Sequence, residues 1–395
     1  MRILLFTGKG GVGKTTTAAA TALAAAGQGL RTVVMSTDPA HSLADSFGVE
    51  LGDELSEVAP NCFAQQLDAQ ARMESSWFEI RDYLRGVFDW AGLDDIEAEE
   101  LSVIPGLDEV FALGDIKAFD ASGEWDALVV DCAPTAETIR FLSLPDILGW
   151  YMERLFPVGR RLTKLVGPVV AKMAGGVPVA GDEVFGATQR FYERLEGVKD
   201  LLTDASRSSV RLVVNPEKMV VAEARRTYTY LSLFGYPVDA VVVNRLLPDA
   251  IDDPWFASWR ESQETHLKTI EEGFAPTPVL RAELAPHEIV GIERLTEFGA
   301  ALYGDRSAAA VLHDGHPFRI DTWGDDHVMT IELPFASRDD LDVSQVDDEL
   351  VVTVGPYRRA LVLPDSLRRR PVTGAALSEG TLRVTFGHHG SDGRS

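Results

Sequence analysis

The residues best equipped for chemistry lie near the amino terminus, in the run Gly8 to Thr16, GKGGVGKTT. Two phosphate-binding patterns overlap there. Read as G-x-G-x-x-G, the run uses Gly8, Gly10 and Gly13 and points to a dinucleotide; read as G-x-x-x-x-G-K-[ST], it uses Gly8, Gly13, Lys14 and Thr15 and points to a nucleoside triphosphate. Lys14 and Thr15 separate the two, because a pyrophosphate on a helix N-terminus needs no ammonium, whereas a β,γ-phosphate pair and its magnesium need a lysine and a hydroxyl. The triphosphate reading is preferred. It assigns Gly8, Lys9, Gly10, Gly11, Val12, Gly13, Lys14, Thr15 and Thr16 to ATP and Thr15 also to Mg2+. The dinucleotide reading stays open as the rival, with Asp38, after the strand pattern Thr32 to Met35, as its ribose acid.

Further polar residues follow apolar strand patterns. Asp38 sits at a strand end, where it can hold the water shell of a magnesium ion. The run ALVVDCAPTAET, Ala127 to Thr138, is an apolar strand pattern ending in an acid, which makes Asp131 a second metal-shell candidate. VDAVVVNRLLP, Val238 to Pro248, contains Asn244, whose amide offers the donor and acceptor that a base edge needs; on local grounds an asparagine closing a strand into a turn is an equal reading. Singly, Asp38 and Asp45 read as cap or turn residues. Behind a phosphate loop they gain a chemical reading, since phosphoryl transfer is mostly positioning and some acceptor must hold the attacking water in line.

The loop with a lysine directly after its first glycine, K-G-G-V-G-K-T, resembles the deviant Walker A motif of a dimeric ATPase class. STDPAHSLADSFG, Ser36 to Gly48, is similar to the first switch of the arsenite-pump and tail-anchored-protein-targeting ATPase family, and the resemblance runs from Met1 to about Gly304. It implies that Lys9 reaches the nucleotide of a partner subunit in a homodimer, that Asp45 orients or activates water, making Asp45, Lys9 and Lys14 the catalytic set, and that Asn244 meets the adenine. The family's second switch usually reads D-x-A-P-T-G-H-T. Here Ala136 and Glu137 replace Gly-His, while Asp131, Pro134 and Thr135 match.

These residues need a scaffold of strands and helices. Ile3 to Phe6 is a buried-strand pattern, and the Ala-rich run Thr16 to Ala26 is a strong helix former stopping near Gly27 and Gly29. Two excursions, about 63–120 and 139–208, carry apolar residues at helical spacing: Met73, Trp77, Ile80, Leu84 and Phe88 in one, Leu148, Tyr151, Met152, Leu155, Phe156, Leu165, Val169 and Val170 in the other. The second is apolar on more than one face, as in a packed core or a cover for a hydrophobic ligand. In the family's targeting members the corresponding helices form a groove for a membrane-anchor helix, so the resemblance implies a hydrophobic client helix or membrane-protein partner. Met173 to Glu183 is Gly-rich and reads as a loop.

The chain has 395 residues and a net charge of -24. That length favours two domains, and that charge argues against nucleic acid as a partner. With no charged leader and no apolar span of about 18 residues, the expectation is a cytoplasmic protein that is not integral to a membrane. The two cysteines, Cys62 and Cys132, form no C-x-x-C pair and read as reduced core thiols. Neither an arsenite-sensing thiolate cluster nor a dimer-clasping zinc is expected from them.

Beyond Gly304, 306–316 reads as a linker, and alternation then replaces helical periodicity: Met329, Ile331 and Leu333 share one strand face, Leu350, Val352 and Val354 another, Leu382, Val384 and Phe386 a third. Residues 317–387 resemble the small heat-shock, α-crystallin-type domain, without its I-x-I-like tail; 388–395, with His388 and His389, reads as a solvated tail. The expected architecture is an α/β P-loop NTPase over 1–305, with a mainly parallel sheet and helical insertions, followed by a small all-β antiparallel sandwich. The expected function is a dimeric Mg-dependent ATPase coupled to a client or partner. A nucleotide-gated holdase chaperone, an arsenite-efflux motor, disfavoured by the thiol count, and a partition or positioning ATPase, disfavoured by the long apolar insertions, are the alternatives.

Overall fold

Strands that are apolar at every position can be buried only where both faces of a sheet are covered, which is the situation of parallel strands flanked by helices. The computed structural model, which describes residues 1–38, 42–67, 107–150, 189, 192–193, 195–323, 326–368 and 370–387, contains such a sheet. Its strands are β1 (Arg2–Thr7), β2 (Thr32–Ser36), β3 (Ser56–Ala59), β4 (Cys62–Gln66), β5 (Ala127–Asp131), β6 (Ser208–Val214), β7 (Val238–Leu246) and β8 (Val279–Glu283), in the order β3-β4-β2-β5-β1-β6-β7-β8. Only the edge strand β3 runs antiparallel to its neighbour. The first excursion thus begins with sheet, since β4 pairs with β2.

The described helices of this part are α1 (Lys14–Gly27), α2 (Ser42–Phe47), α3 (Leu107–Ser122), α4 (Thr135–Trp150), α5 (Val198–Thr203), α6 (Lys218–Phe234), α7 (Ala257–Phe274) and α8 (Ile292–Tyr303). The alanines of α1 let α8 come very close: a Cβ on Gly299 would lie 2.7 Å from the carbonyl oxygen of Ala20. The apolar positions Met73 to Phe88 and Tyr151 to Val170, the loop Met173 to Glu183, and His388 and His389 lie outside the described residues, as does the side chain of Leu148.

One arginine in the middle of an apolar strand organises the far side of the sheet. Arg211 on β6 is fully buried. Its Nε donates to Asp239 Oδ1 of β7 at 3.1 Å, its Nη1 to Tyr303 OH at 2.9 Å and to Ala308 O at 2.7 Å, and its Nη2 to Ala310 O at 3.0 Å. Arg2 reinforces the arrangement, donating to Asp239 Oδ2 at 3.0 Å and to Ala309 O at 3.2 Å. The stretch read as a linker is therefore fastened over Ala308 to Leu312, where Ala308 is fully buried and the Leu312 amide donates to Asp239 at 3.3 Å. Its small, polar composition resembles a linker because backbone carbonyls, not side chains, make the attachment.

The remaining strands are β9 (Phe318–Trp323), β10 (Asp326–Glu332), β11 (Leu341–Val346), β12 (Glu349–Val354), β13 (Tyr357–Val362), β14 (Val372–Ser378) and β15 (Thr381–Phe386), with the short helix α9 (Asp365–Arg368) between β13 and β14. They form a four-stranded sheet β14-β15-β10-β9 and a three-stranded sheet β11-β12-β13, with antiparallel pairing throughout. The three alternating apolar sets named from the sequence are all buried, in one core cluster. That cluster also receives Leu233 of α6. Arg359 donates to Leu233 O at 2.5 Å, Thr229 donates to Pro334 O, and the rings of Tyr230 and Tyr357 lie 4.3 Å apart.

Removing Arg211 leaves Asp239 buried with Arg2 as its remaining ion-pair partner. Arg211→Ala is expected to lower unfolding stability by about 3–5 kcal/mol, measured by urea denaturation. The Arg211→Ala, Asp239→Ala double variant should lose less than the sum of the singles.

Candidate active site

The phosphate loop follows β1 and leads directly into α1, so its N–H groups are directed by a helix N-terminus. Two glycines are required by close approach. A Cβ at Gly8 would stand 2.2 Å from the Val213 carbonyl oxygen, and one at Gly13, where φ is 94°, would stand 2.3 Å from Asn244 Nδ2. Gly11 also adopts a positive φ of 80°, whereas Gly10 has open space beside it. Val12 is buried, and its carbonyl accepts from Asn244 Nδ2 at 2.9 Å; Asn244 Oδ1 accepts from the Arg245 amide at 2.9 Å. The side chain of Asn244 thus braces the loop from β7 in this structure. Thr16 is half-buried in the first turn of α1, and Lys14 is buried.

The strand register brings the acid to the loop. β5 pairs with β1 and β2 so that Asp131 lies opposite both Phe6 and Ser36. Thr15 Oγ1 donates to Asp131 Oδ2 at 2.7 Å, and Ser36 Oγ donates to the same oxygen at 3.3 Å. Asp131 Oδ1 is buried without a hydrogen-bond partner. Ser42, at the start of α2, is 3.1 Å from Thr15 Oγ1. Asp38 is half-buried, its amide donating to Ser36 Oγ at 3.2 Å, and Asp45 stands exposed in the first turn of α2. A hydroxyl and two carboxylates form a set of hard oxygen donors that suits Mg2+, and a buried carboxylate oxygen lacking a donor is what a cation would compensate. The residues present therefore fit a divalent ion at Thr15 and Asp131, with Asp38 nearby.

Lys9 is at the loop's outer side, with Nζ 3.8 Å from Glu223 Oε2 of α6. The other oxygen of Glu223 accepts from Thr135 Oγ1 at 2.5 Å. Thr138, later in the second switch, accepts from Thr7 at 2.9 Å, and Glu137 is exposed. Sequence reading missed Ser36, Ser42 and Glu223. The two serines could have been found in the quoted switch, whereas Glu223 lies on an amphipathic helix with no motif around it. Cys62 and Cys132 are both buried; burial pushes the Cys62 thiol up to about 12 and raises that of Cys132 further.

Burial raises the Asp131 carboxyl to about 6 from 3.8, opposed by the Thr15 hydrogen bond and the Lys14 charge. Between those two values the folded protein binds more protons than the unfolded chain, so this group costs stability above about pH 6 and the cost disappears as pH falls toward 4. Nucleotide- and metal-free protein should therefore show a contribution from Asp131 that raises the denaturation midpoint between pH 6 and pH 4. Asp131→Asn should remove that contribution and be the more stable protein at pH 7.

Residues 1–304 match the family described as anion-transporting ATPase, and residues 324–386 match the HSP20-like domain found in ArsA. A protein of Chlorobaculum tepidum bearing the name "Putative arsenical pump-driving ATPase" is 37% identical over 388 residues, covering 98% of this chain and 96% of its own length. One of the same name from Prosthecochloris vibrioformis is 38% identical with the same coverage. The Arabidopsis thaliana ATPase GET3B is 30% identical over 320 residues, 75% of this chain and 77% of its own. With its amino-terminal 304 residues matched throughout and full-length relatives above 35% identity, the chain belongs to the anion-transporting ATPase family.

Proposed function

We propose that the protein is a magnesium-dependent ATPase that hydrolyses ATP to ADP and phosphate, closes as a homodimer when ATP is bound, and uses that cycle to switch a client or partner. The observation that carries the reading is the contact between Thr15 of the phosphate loop and the buried Asp131, because it joins a triphosphate cradle to a cation-ready carboxylate at 2.7 Å. Lys14 and the loop N–H groups bind the β- and γ-phosphates and hold the reacting phosphorus in place. Thr15 and Asp131, with Asp38, would hold Mg2+, which neutralises charge developing on the phosphate oxygens. Asp45, exposed on α2, accepts a hydrogen bond from the attacking water and orients it. Asn244, which braces the loop through the Val12 carbonyl, is also the residue that would meet the adenine edge.

The chain is divided into an ATPase domain over 1–305 and an α-crystallin-like domain over 317–387. Among the described residues no helix is long and apolar enough to cross a membrane; a cytoplasmic protein with a hydrophobic client is the reading adopted. Although relatives are named for driving an arsenical pump, the two cysteines here are buried on different parts of the sheet with raised thiols. Arsenite prefers thiolates, so the pump-driving role is not adopted.

Separating binding from chemistry tests the site. Asp45→Asn should retain nucleotide affinity within about threefold and lose 100-fold or more in kcat, on the order of a removed water-positioning group. Lys14→Ala should lose nucleotide affinity itself, read by titration with a fluorescent ATP analogue. Preserved turnover in Asp45→Asn would remove Asp45 from the mechanism.

Mixing tests the role of Lys9. Lys9→Ala homodimers should lose ATP-dependent tightening and turnover, with a much weaker effect on ADP binding. Mixed with wild type, the variant should produce dimers of reduced activity, measured by titrating one against the other at fixed total protein; full activity at both sites of such dimers would exclude a cross-subunit lysine.

A further inference from the structure

The second switch, the phosphate loop and the carboxyl-terminal sheets meet on a single helix, α6. Near its amino end Glu223 takes two groups at once, the Lys9 ammonium on Oε2 at 3.8 Å and the Thr135 hydroxyl on Oε1 at 2.5 Å. Lys9 and Glu223 retain 36% and 29% of their side-chain exposure, so the pair is open to competition by an arriving anion. Toward its carboxyl end the same helix offers Thr229 to Pro334 O, Tyr230 to the Tyr357 ring, and Leu233 to the core of the β-sheets, with Arg359 capping the Leu233 carbonyl. Ten residues of α-helix separate Glu223 from Leu233, about 15 Å of rigid backbone.

In the unliganded molecule Lys9 is ion-paired with Glu223 at 3.8 Å, beyond hydrogen-bond distance. A phosphate carries more negative charge than a carboxylate and competes for the same ammonium, and a Lys9 that extends to the nucleotide of a partner subunit leaves Glu223 behind. Thr135 remains on Oε1 and keeps the second switch tied to α6 while Lys9 changes partner. Resting on the ATPase reading above, we propose that Glu223 is a latch displaced by nucleotide: it holds Lys9 and Thr135 in the unliganded arrangement, yields Lys9 to phosphate, and through α6 makes the contact with the carboxyl-terminal sheets depend on the nucleotide. Glu223 is a positioning residue in this scheme, acting through Lys9 and touching no reacting atom.

A latch that stabilises only the unliganded state lowers apparent nucleotide affinity by the worth of its contacts. The contact given up is the half-exposed Lys9 ion pair alone, since Thr135 stays on Oε1; at the strong end of such pairs that is about fivefold. Steady-state kinetics on the full chain, wild type against Glu223→Gln, should therefore show KM for ATP falling by about fivefold while kcat changes much less. The gain should shrink with added salt, which already weakens the wild-type ion pair. Hydrogen exchange supplies the second readout: ATP should alter protection of residues 229–234 and 355–362 in wild type, and Glu223→Gln should shift those segments toward the ATP-bound pattern before nucleotide is added.

An unchanged or raised KM, or kcat and kcat/KM falling together, would overturn the latch, and exchange in those segments indifferent to ATP would overturn the coupling through α6. Glu223→Asp, one methylene shorter and unable to reach both partners equally, gives the same test if the glutamine variant folds poorly. The underlying ATPase reading fails in a different way, with wild type turning over ATP no faster than Lys14→Ala.

Discussion

A carboxylate with no exposed surface must be compensated, and the compensation of Asp131 governs how this site is assembled. Two hydroxyls, Thr15 and Ser36, reach one of its oxygens and none reaches the other. The register of β5 against β1 and β2 sets this meeting, because it puts Asp131 level with Phe6, the penultimate residue of β1, and with Ser36, the last residue of β2. A shift of one residue would turn the acid to the opposite face of the sheet. The site is thus a property of strand alignment before it is a property of the loop.

The phosphate loop, its following helix, and the acid at the end of β5 were legible because backbone geometry allows few alternatives there. Gly8 and Gly13 are needed where atoms of Val213 and Asn244 leave no room for a Cβ, and the apolar strand ending in Asp131 has few other interpretations. The alternating faces of the carboxyl-terminal strands were equally legible, since a two-residue period has one physical meaning. Asn244 was found as a residue, but its contacts with Val12 and Arg245 depend on the packing of β7 beside the loop. Glu223 was not found. Its role follows from a tertiary meeting of three segments separated by more than 80 residues, and an acid on the polar side of an amphipathic helix has no local mark that distinguishes it. β4 is short and only partly apolar and fell at the start of the helical excursion over about 63–120, while the still shorter β3 before it carries no strand pattern.

The structure also joins two types of packing on α6. Its amino half faces an electrostatic environment of lysine, threonine and carboxylate, where partners exchange at little cost in volume. Its carboxyl half is held by Leu233, Tyr230 and Phe234 against apolar and aromatic side chains, where any displacement opens space that water cannot fill favourably.

The strap from Ala308 to Leu312 has a consequence for the order in which the chain is made. Arg2 is synthesised well before Arg211 and Asp239, yet the carbonyls that complete the shell of both arginines belong to residues after 307. Until those are synthesised, the nearly finished sheet holds guanidinium groups short of acceptors. The amino-terminal α/β region therefore reaches its final stability only when translation has passed the segment that introduces the β-sheets, so that completion of the first fold and emergence of the second are tied together in time.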